Sequence, residues 1–140
     1  MKIGIVGSGQ FGKLWSQAGH QVLFSSRHPQ KLAELVEQPG GAARAGTPVE
    51  SIAFGDVVLL SKPFAALLDF GRSMTEALGR KVLFETANRP TADAVRRSCR
   101  GTGPYLREWF SGVPIVRAFN SGWDRTPATE AQALERGAAR

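Results

Sequence analysis

The chain has 140 residues, 42% of them apolar, enough to bury one core and too few to leave much room for a second. Eighteen Lys and Arg residues against twelve Asp and Glu give a net charge of +6, but the acids are interspersed with the bases and no aromatic ladder alternates with cations. That pattern argues against a nucleic-acid partner and suits the steering of a small polyanion. No apolar stretch approaches a membrane span and no charged-then-apolar leader opens the chain, while a single cysteine, Cys99, excludes an internal disulfide, so a cytoplasmic protein without a membrane partner is expected.

Met1-Lys2-Ile3-Gly4-Ile5-Val6 has the short, apolar, β-branched character of a buried parallel strand. It runs into Gly7-Ser8-Gly9-Gln10-Phe11-Gly12, a G-x-G-x-x-G turn. In such a turn Gly7 permits the tight strand-to-helix reversal, Gly9 lets backbone amides approach a pyrophosphate, and Gly12 lets helix and strand pack closely. Phe11, Leu14, Trp15 and Ala18 then recur at helical spacing and predict one apolar stripe against the sheet, with Gly19 as the left-handed cap. A diphosphate would sit on the N-terminus of this helix, where unpaired amides and the helix dipole favour an anion.

Residues 21–25 read as the second strand, and its end selects the cofactor. A carboxylate there would accept hydrogen bonds from the adenosine ribose and repel a 2′-phosphate. The chain has no Asp or Glu before Glu34; it offers Ser25-Ser26-Arg27, followed by His28 and Lys31. Two hydroxyls and a guanidinium suit a phosphate, so the expected cofactor is NADP.

The alternation of strand and helix continues. Residues 42–45 are a weak third strand after Pro39-Gly40-Gly41, and Thr47-Pro48 opens a short helix with a hydroxyl cap and proline at the first position. Residues 56–61 form a buried strand stopped by Pro63, residues 65–78 a helix ending at Gly79, and residues 81–85 a fifth strand. Residues 102–110 read as a helix and residues 113–119 as the last strand. This rhythm predicts an α/β fold: a single Rossmann-type, doubly wound parallel sheet of order 3-2-1-4-5-6 over residues 1–120. Residues 121–140, rich in Ala, Arg, Thr and Glu with one leucine, read as a loosely held tail.

Met1-Lys2-Ile3-Gly4-Ile5-Val6-Gly7, Ala18-Gly19-His20, Ser25-Ser26-Arg27, Ala45-Gly46-Thr47, Asp56-Val57-Val58-Leu59-Leu60, Lys81-Val82-Leu83 and Val116-Arg117-Ala118-Phe119-Asn120 together give the chain a resemblance. It resembles the N-terminal NADP-binding domain of the deazaflavin-dependent NADP reductases and related dinucleotide-binding oxidoreductases, and is similar to the N-terminal half of pyrroline-5-carboxylate reductase. The resemblance implies that Ser26 and Arg27 hold the 2′-phosphate, that Ser61-Lys62-Pro63 passes over the dinucleotide, and that Asn88 and Asn120 end strands near the nicotinamide. It also implies hydride transfer to a small-molecule acceptor, a deazaflavin in these relatives, and a homodimer. Three departures stand out: a first helix about one turn short, Lys62 where relatives carry a small apolar residue, and absence of the segments that follow the final strand.

No catalytic residue emerges from the side chains themselves. His20 precedes the second strand, at the wrong end for a ligand, and His28 belongs to the adenosine end. Tyr105 and Trp109 stand at helical spacing and suit core packing, Cys99 has no partnered His or second Cys, and no metal-ligand cluster or Ser-His-Asp set is legible. Two functions remain: an NADP(H)-dependent oxidoreductase, whose cofactor carries the chemistry, or an NADP(H)-binding domain without turnover that acts as a sensor or partner subunit.

Overall fold

The computed structural model describes residues 1–7, 10–36, 43–87 and 101–119. Apolar runs make the strands: β1 (Lys2–Gly7), β2 (Gln21–Ser25), β3 (Ala43–Gly46), β4 (Val57–Ser61), β5 (Val82–Glu85) and β6 (Ile115–Arg117). They join in one parallel sheet of order β3-β2-β1-β4-β5-β6, the order predicted from sequence. The helices are α1 (Gln10–Gln17), α2 (Ala33–Val36), α3 (Pro48–Phe54), α4 (Leu67–Leu78) and α5 (Gly103–Trp109). The fold is therefore a Rossmann-like α/β domain, with a topological switch point between β1 and β4.

The sheet separates two apolar layers. On one face Phe11 of α1 packs with Ile3, Ile5, Val22, Phe24 and Leu59. On the other, α3, α4 and α5 bring Ile52, Leu67, Phe70 and Leu106 onto Val6, Val58, Leu60 and Leu83. Alternation of side chains along each strand assigns successive residues to opposite layers, which is why β1 and β4 are apolar at nearly every position.

The local differences from expectation have local causes. The third strand ends at Gly46, one residue beyond the expected 42–45, because Ser25 pairs with Gly46 and extends the ladder. The fourth helix does not begin at residue 65 as its pattern predicts; a 3₁₀ turn over Phe64–Ala66 precedes it, following Pro63. The sixth strand keeps three of the expected residues 113–119, since Val113 is buried before the strand and Phe119 beyond it turns to φ 63°. A 3₁₀ turn over Pro29–Leu32 and the following α2, which sequence periodicity does not single out, link β2 toward β3. Of the expected helical stripe, Phe11 is buried and Leu14 and Trp15 are half-buried, whereas Ala18 lies beyond the last turn and is exposed. Asn88, Cys99, Asn120 and the tail over 121–140 lie outside the described residues.

Candidate functional site

The first strand ends with Gly7 at the carboxyl edge of the sheet, at the switch point. Gly7 closes β1 with φ 121°, a conformation that disfavours any side chain, and a Cβ there would strike the Ser61 carbonyl on β4. Gly7 and Ser61 are also register partners, so the end of β1 and the start of Ser61-Lys62-Pro63 lie side by side. Gly12, in α1, is buried against β2: a Cβ on it would enter the Phe24 ring and come within 3.2 Å of Ile5 Cγ1. The helix thus packs closely on the sheet through Gly12. Ser8 and Gly9 lie outside the described residues, Gln10 opens α1, and Phe11 is buried beside it.

At the end of β2 the three clamp residues separate. Ser25 is 5% exposed and its hydroxyl donates to the Ile5 carbonyl at 2.7 Å, so this side chain is turned into the sheet rather than to the surface. Ser26 is half-buried at the surface, and its Oγ accepts the His28 amide N–H at 3.1 Å, which orients the oxygen while leaving its own proton to be donated. The Ser26 amide donates to the Gly46 carbonyl at 3.1 Å and ties the loop to the end of β3. Arg27 is exposed beside it. Ser26 and Arg27, without Ser25, form the surface that a phosphate could meet.

Across the switch point, Lys62 is half-buried and its ammonium lies 5.9 Å from the Phe70 ring centroid, while Pro63 is exposed. Beyond β6, Phe119 packs at a tilt on Phe11, with centroids 4.8 Å apart, and its centroid lies 5.9 Å from that of Trp15. The start of α1 and the end of β6 are thereby joined through one aromatic cluster. His20 is half-buried toward the amino ends of the strands and lines a cavity of about 230 Å³ with Trp15, Val57, Phe84 and Phe119. The His28 amide donates to Ser26 just past the end of β2. Tyr105 and Trp109 are half-buried and pack with each other and with Phe64; Trp109 lies against the core as expected, while Tyr105 sits at its margin.

Sequence reasoning misses one feature of this edge. Glu85, at the end of β5, is 1% exposed, and its carboxylate accepts from Arg117 Nε at 3.0 Å and from the Ala87 amide. An acid ending an apolar strand, and an arginine ending the next, are the available signal: a buried charge requires a partner. Among the described strand-end residues Glu85 is the one acid, and it is already paired.

No curated protein matches the chain. Two solved structures share its fold, each with a TM-score of 0.67: a candidate F420-dependent NADP reductase from Arthrobacter sp. FB24, 19% identical over 89% of this chain, and the hypothetical protein SMa0349 from Sinorhizobium meliloti, 20% identical over 91%. The chain spans 64% and 65% of the lengths of those two proteins. The family model described as NADP oxidoreductase, coenzyme F420-dependent, matches residues 2–89, which hold the glycine turn, Ser26-Arg27 and Ser61-Lys62-Pro63. The chain belongs to the coenzyme F420-dependent NADP oxidoreductase family.

Proposed function

We propose that this chain binds NADP(H) across the carboxyl edge of its sheet and takes part in hydride transfer between the nicotinamide and a small-molecule acceptor. The observation that carries the proposal is the pairing of a glycine-packed strand-to-helix junction with an acid-free end of β2. Gly7 and Gly12 leave no room for a Cβ, and Ser26 and Arg27 present a hydroxyl and a cation where NAD-selective sites carry a carboxylate. The residues present therefore fit the dinucleotide.

In this reading the amides opening α1 meet the pyrophosphate, and the helix dipole supplies positive potential without a charged side chain. Arg27 pairs with the 2′-phosphate, and Ser26 donates its hydroxyl proton to the same group. Ser61, Lys62 and Pro63 border the other side of the crevice, where Gly7 and Ser61 sit side by side. Bound NADP(H) supplies the hydride chemistry, and the protein's part is to hold and orient its ligands. The acceptor expected from the family is a deazaflavin, and the compartment expected from sequence is the cytoplasm.

A second reading, binding without turnover as a sensor or partner subunit, is favoured by one observation. The strand-end acid Glu85 is buried against Arg117, so among the described strand ends no carboxyl group is left to exchange a proton with an acceptor. Titration calorimetry of the full chain with NADPH and with NADH tests what both readings share. Tight binding of NADPH alone is the expected result, and equal or absent binding would overturn it. Oxidation of NADPH with a deazaflavin and other acceptors then separates enzyme from binding domain, and the mass of the chain in solution tests the expected homodimer.

A further inference from the structure

Glu85 and Arg117 are register partners on β5 and β6, and each is the last residue of its strand. Their side chains close a ring of contacts. Arg117 Nε donates to Glu85 Oε2 at 3.0 Å, Arg117 Nη2 donates to the Ala87 carbonyl at 3.3 Å, and the Ala87 amide donates to Glu85 Oε1. The backbone adds two ties: Ala118 N–H to the Glu85 carbonyl and Thr86 N–H to the Leu60 carbonyl, each at 3.2 Å. Residues 85–87 are thus bound at once to β4 and to β6.

Glu85 is buried whereas the Arg117 side chain is 38% exposed, so solvent screens the pair and its attraction alone is weak evidence for stability, but its directional contacts can fix one geometry. The guanidinium is well shaped for this, because its planar fork reaches a carboxylate and a carbonyl together, which an ammonium does less well. These contacts reinforce an edge strand of three residues, β6. They also lie on one side of the switch point. The clamp of Ser26 and Arg27 belongs to β2, whereas Glu85 and Arg117 belong to the half of the sheet across which the other end of a dinucleotide would extend.

We propose that Glu85 and Arg117 are positioning residues that hold Thr86, Ala87 and Ala118 in the arrangement that receives the nicotinamide end of NADP(H). The inference rests on the cofactor reading above and assigns this pair to one half of that ligand. It separates two properties: the adenosine half should bind independently of the pair, and the nicotinamide half should depend on it.

The test compares NADPH with 2′-phospho-ADP-ribose, which lacks the nicotinamide, on the full chain and on Arg117→Gln and Arg117→Lys. The lysine variant keeps a cation opposite Glu85 and guards against simple misfolding. The unmodified chain should bind NADPH more tightly than the fragment and should change the fluorescence of the reduced nicotinamide on binding. Arg117→Gln, which loses the guanidinium contacts to Glu85 and to the Ala87 carbonyl, should weaken NADPH about tenfold while leaving the fragment within about twofold. Arg117→Lys should fold and fall between the two, with a diminished fluorescence change.

Parallel weakening of both ligands in the lysine variant would make the pair merely structural and overturn the inference. Unaltered NADPH binding and fluorescence in both variants would do the same, as would equal binding of NADPH and fragment by the unmodified chain. If the unmodified chain binds neither ligand, the cofactor reading itself fails, and the inference falls with it.

Discussion

Gly12 and Phe24 share one space: the Phe24 ring occupies the volume that a side chain at position 12 would need. This contact sets how closely α1 approaches the sheet, and so where the helix N-terminus lies relative to the crevice. Gly12→Ala must lift the helix or displace a ring that is 1% exposed in the core. Overpacking of that kind costs about 1–3 kcal/mol, and urea denaturation should show it. Trimming the ring with Phe24→Leu in the same chain should recover part of the loss. A double mutant no more stable than the sum of the single changes would mean that the helix has no steric coupling to that ring.

Arg27 is exposed and, among the described residues, makes no contact on which the sheet depends, so Arg27→Ala should leave the unfolding midpoint unchanged. Its effect should appear in ligand selectivity. Loss of a charge-assisted contact to the 2′-phosphate corresponds to about 1.5–3 kcal/mol, or roughly tenfold or more in NADPH affinity. NADH lacks that phosphate and should be little affected. Calorimetry with both nucleotides checks the difference, and equal losses would remove Arg27 from the clamp.

The glycine turn and β4 are legible in the sequence because their signals are local. A glycine between an apolar run and a helical stripe needs no distant partner to be recognised, and Val57 to Leu60 can only be a buried strand. The Thr47-Pro48 helix start is legible for the same reason, and it appears with both halves of its capping box. The role of Ser25 is not legible. Whether a hydroxyl at a strand end turns outward or donates to Ile5 depends on the pairing of β1 with β2. The Glu85–Arg117 ring is further from view, since it joins residues 32 apart and exists only in one register of β5 and β6. Site features that arise from strand register are invisible to a pattern read along one strand.

Lys81 has a structural role that its position before β5 conceals. Its ammonium donates to the carbonyls of Ile52, Ala53 and Gly55 at 2.7, 3.1 and 2.7 Å, closing the C-terminal end of α3. Those carbonyls have few other donors available at a helix end, and a cation there also complements the helix dipole. Lys81→Met keeps most of the apolar stem and removes the charge. It should lower stability by roughly 1–2 kcal/mol in chemical denaturation, with added salt narrowing the difference little because the contacts are direct hydrogen bonds. A variant as stable as the unmodified chain would show that water satisfies the α3 carbonyls equally well.

The other end of α3 carries a pH dependence. Glu50 Oε2 accepts from the Thr47 amide at 2.7 Å and from the Thr47 hydroxyl at 2.9 Å. The backbone hydrogen bond first, and the side-chain one second, hold its carboxyl below the ordinary value of 4.5. A carboxyl whose pKa is lowered by folding binds fewer protons in the native than in the unfolded chain. Its stabilising effect is therefore present above pH 4.5 and is lost as the pH falls through the lower native value. Glu50→Gln removes the titrating group, so its Tm should decline less steeply than that of the unmodified chain as the pH is lowered below 4.5. The two profiles, recorded by circular dichroism from neutral pH downward, should converge on the acid side. If they instead stay parallel there, the capping carboxylate does not contribute to the acid sensitivity of the fold.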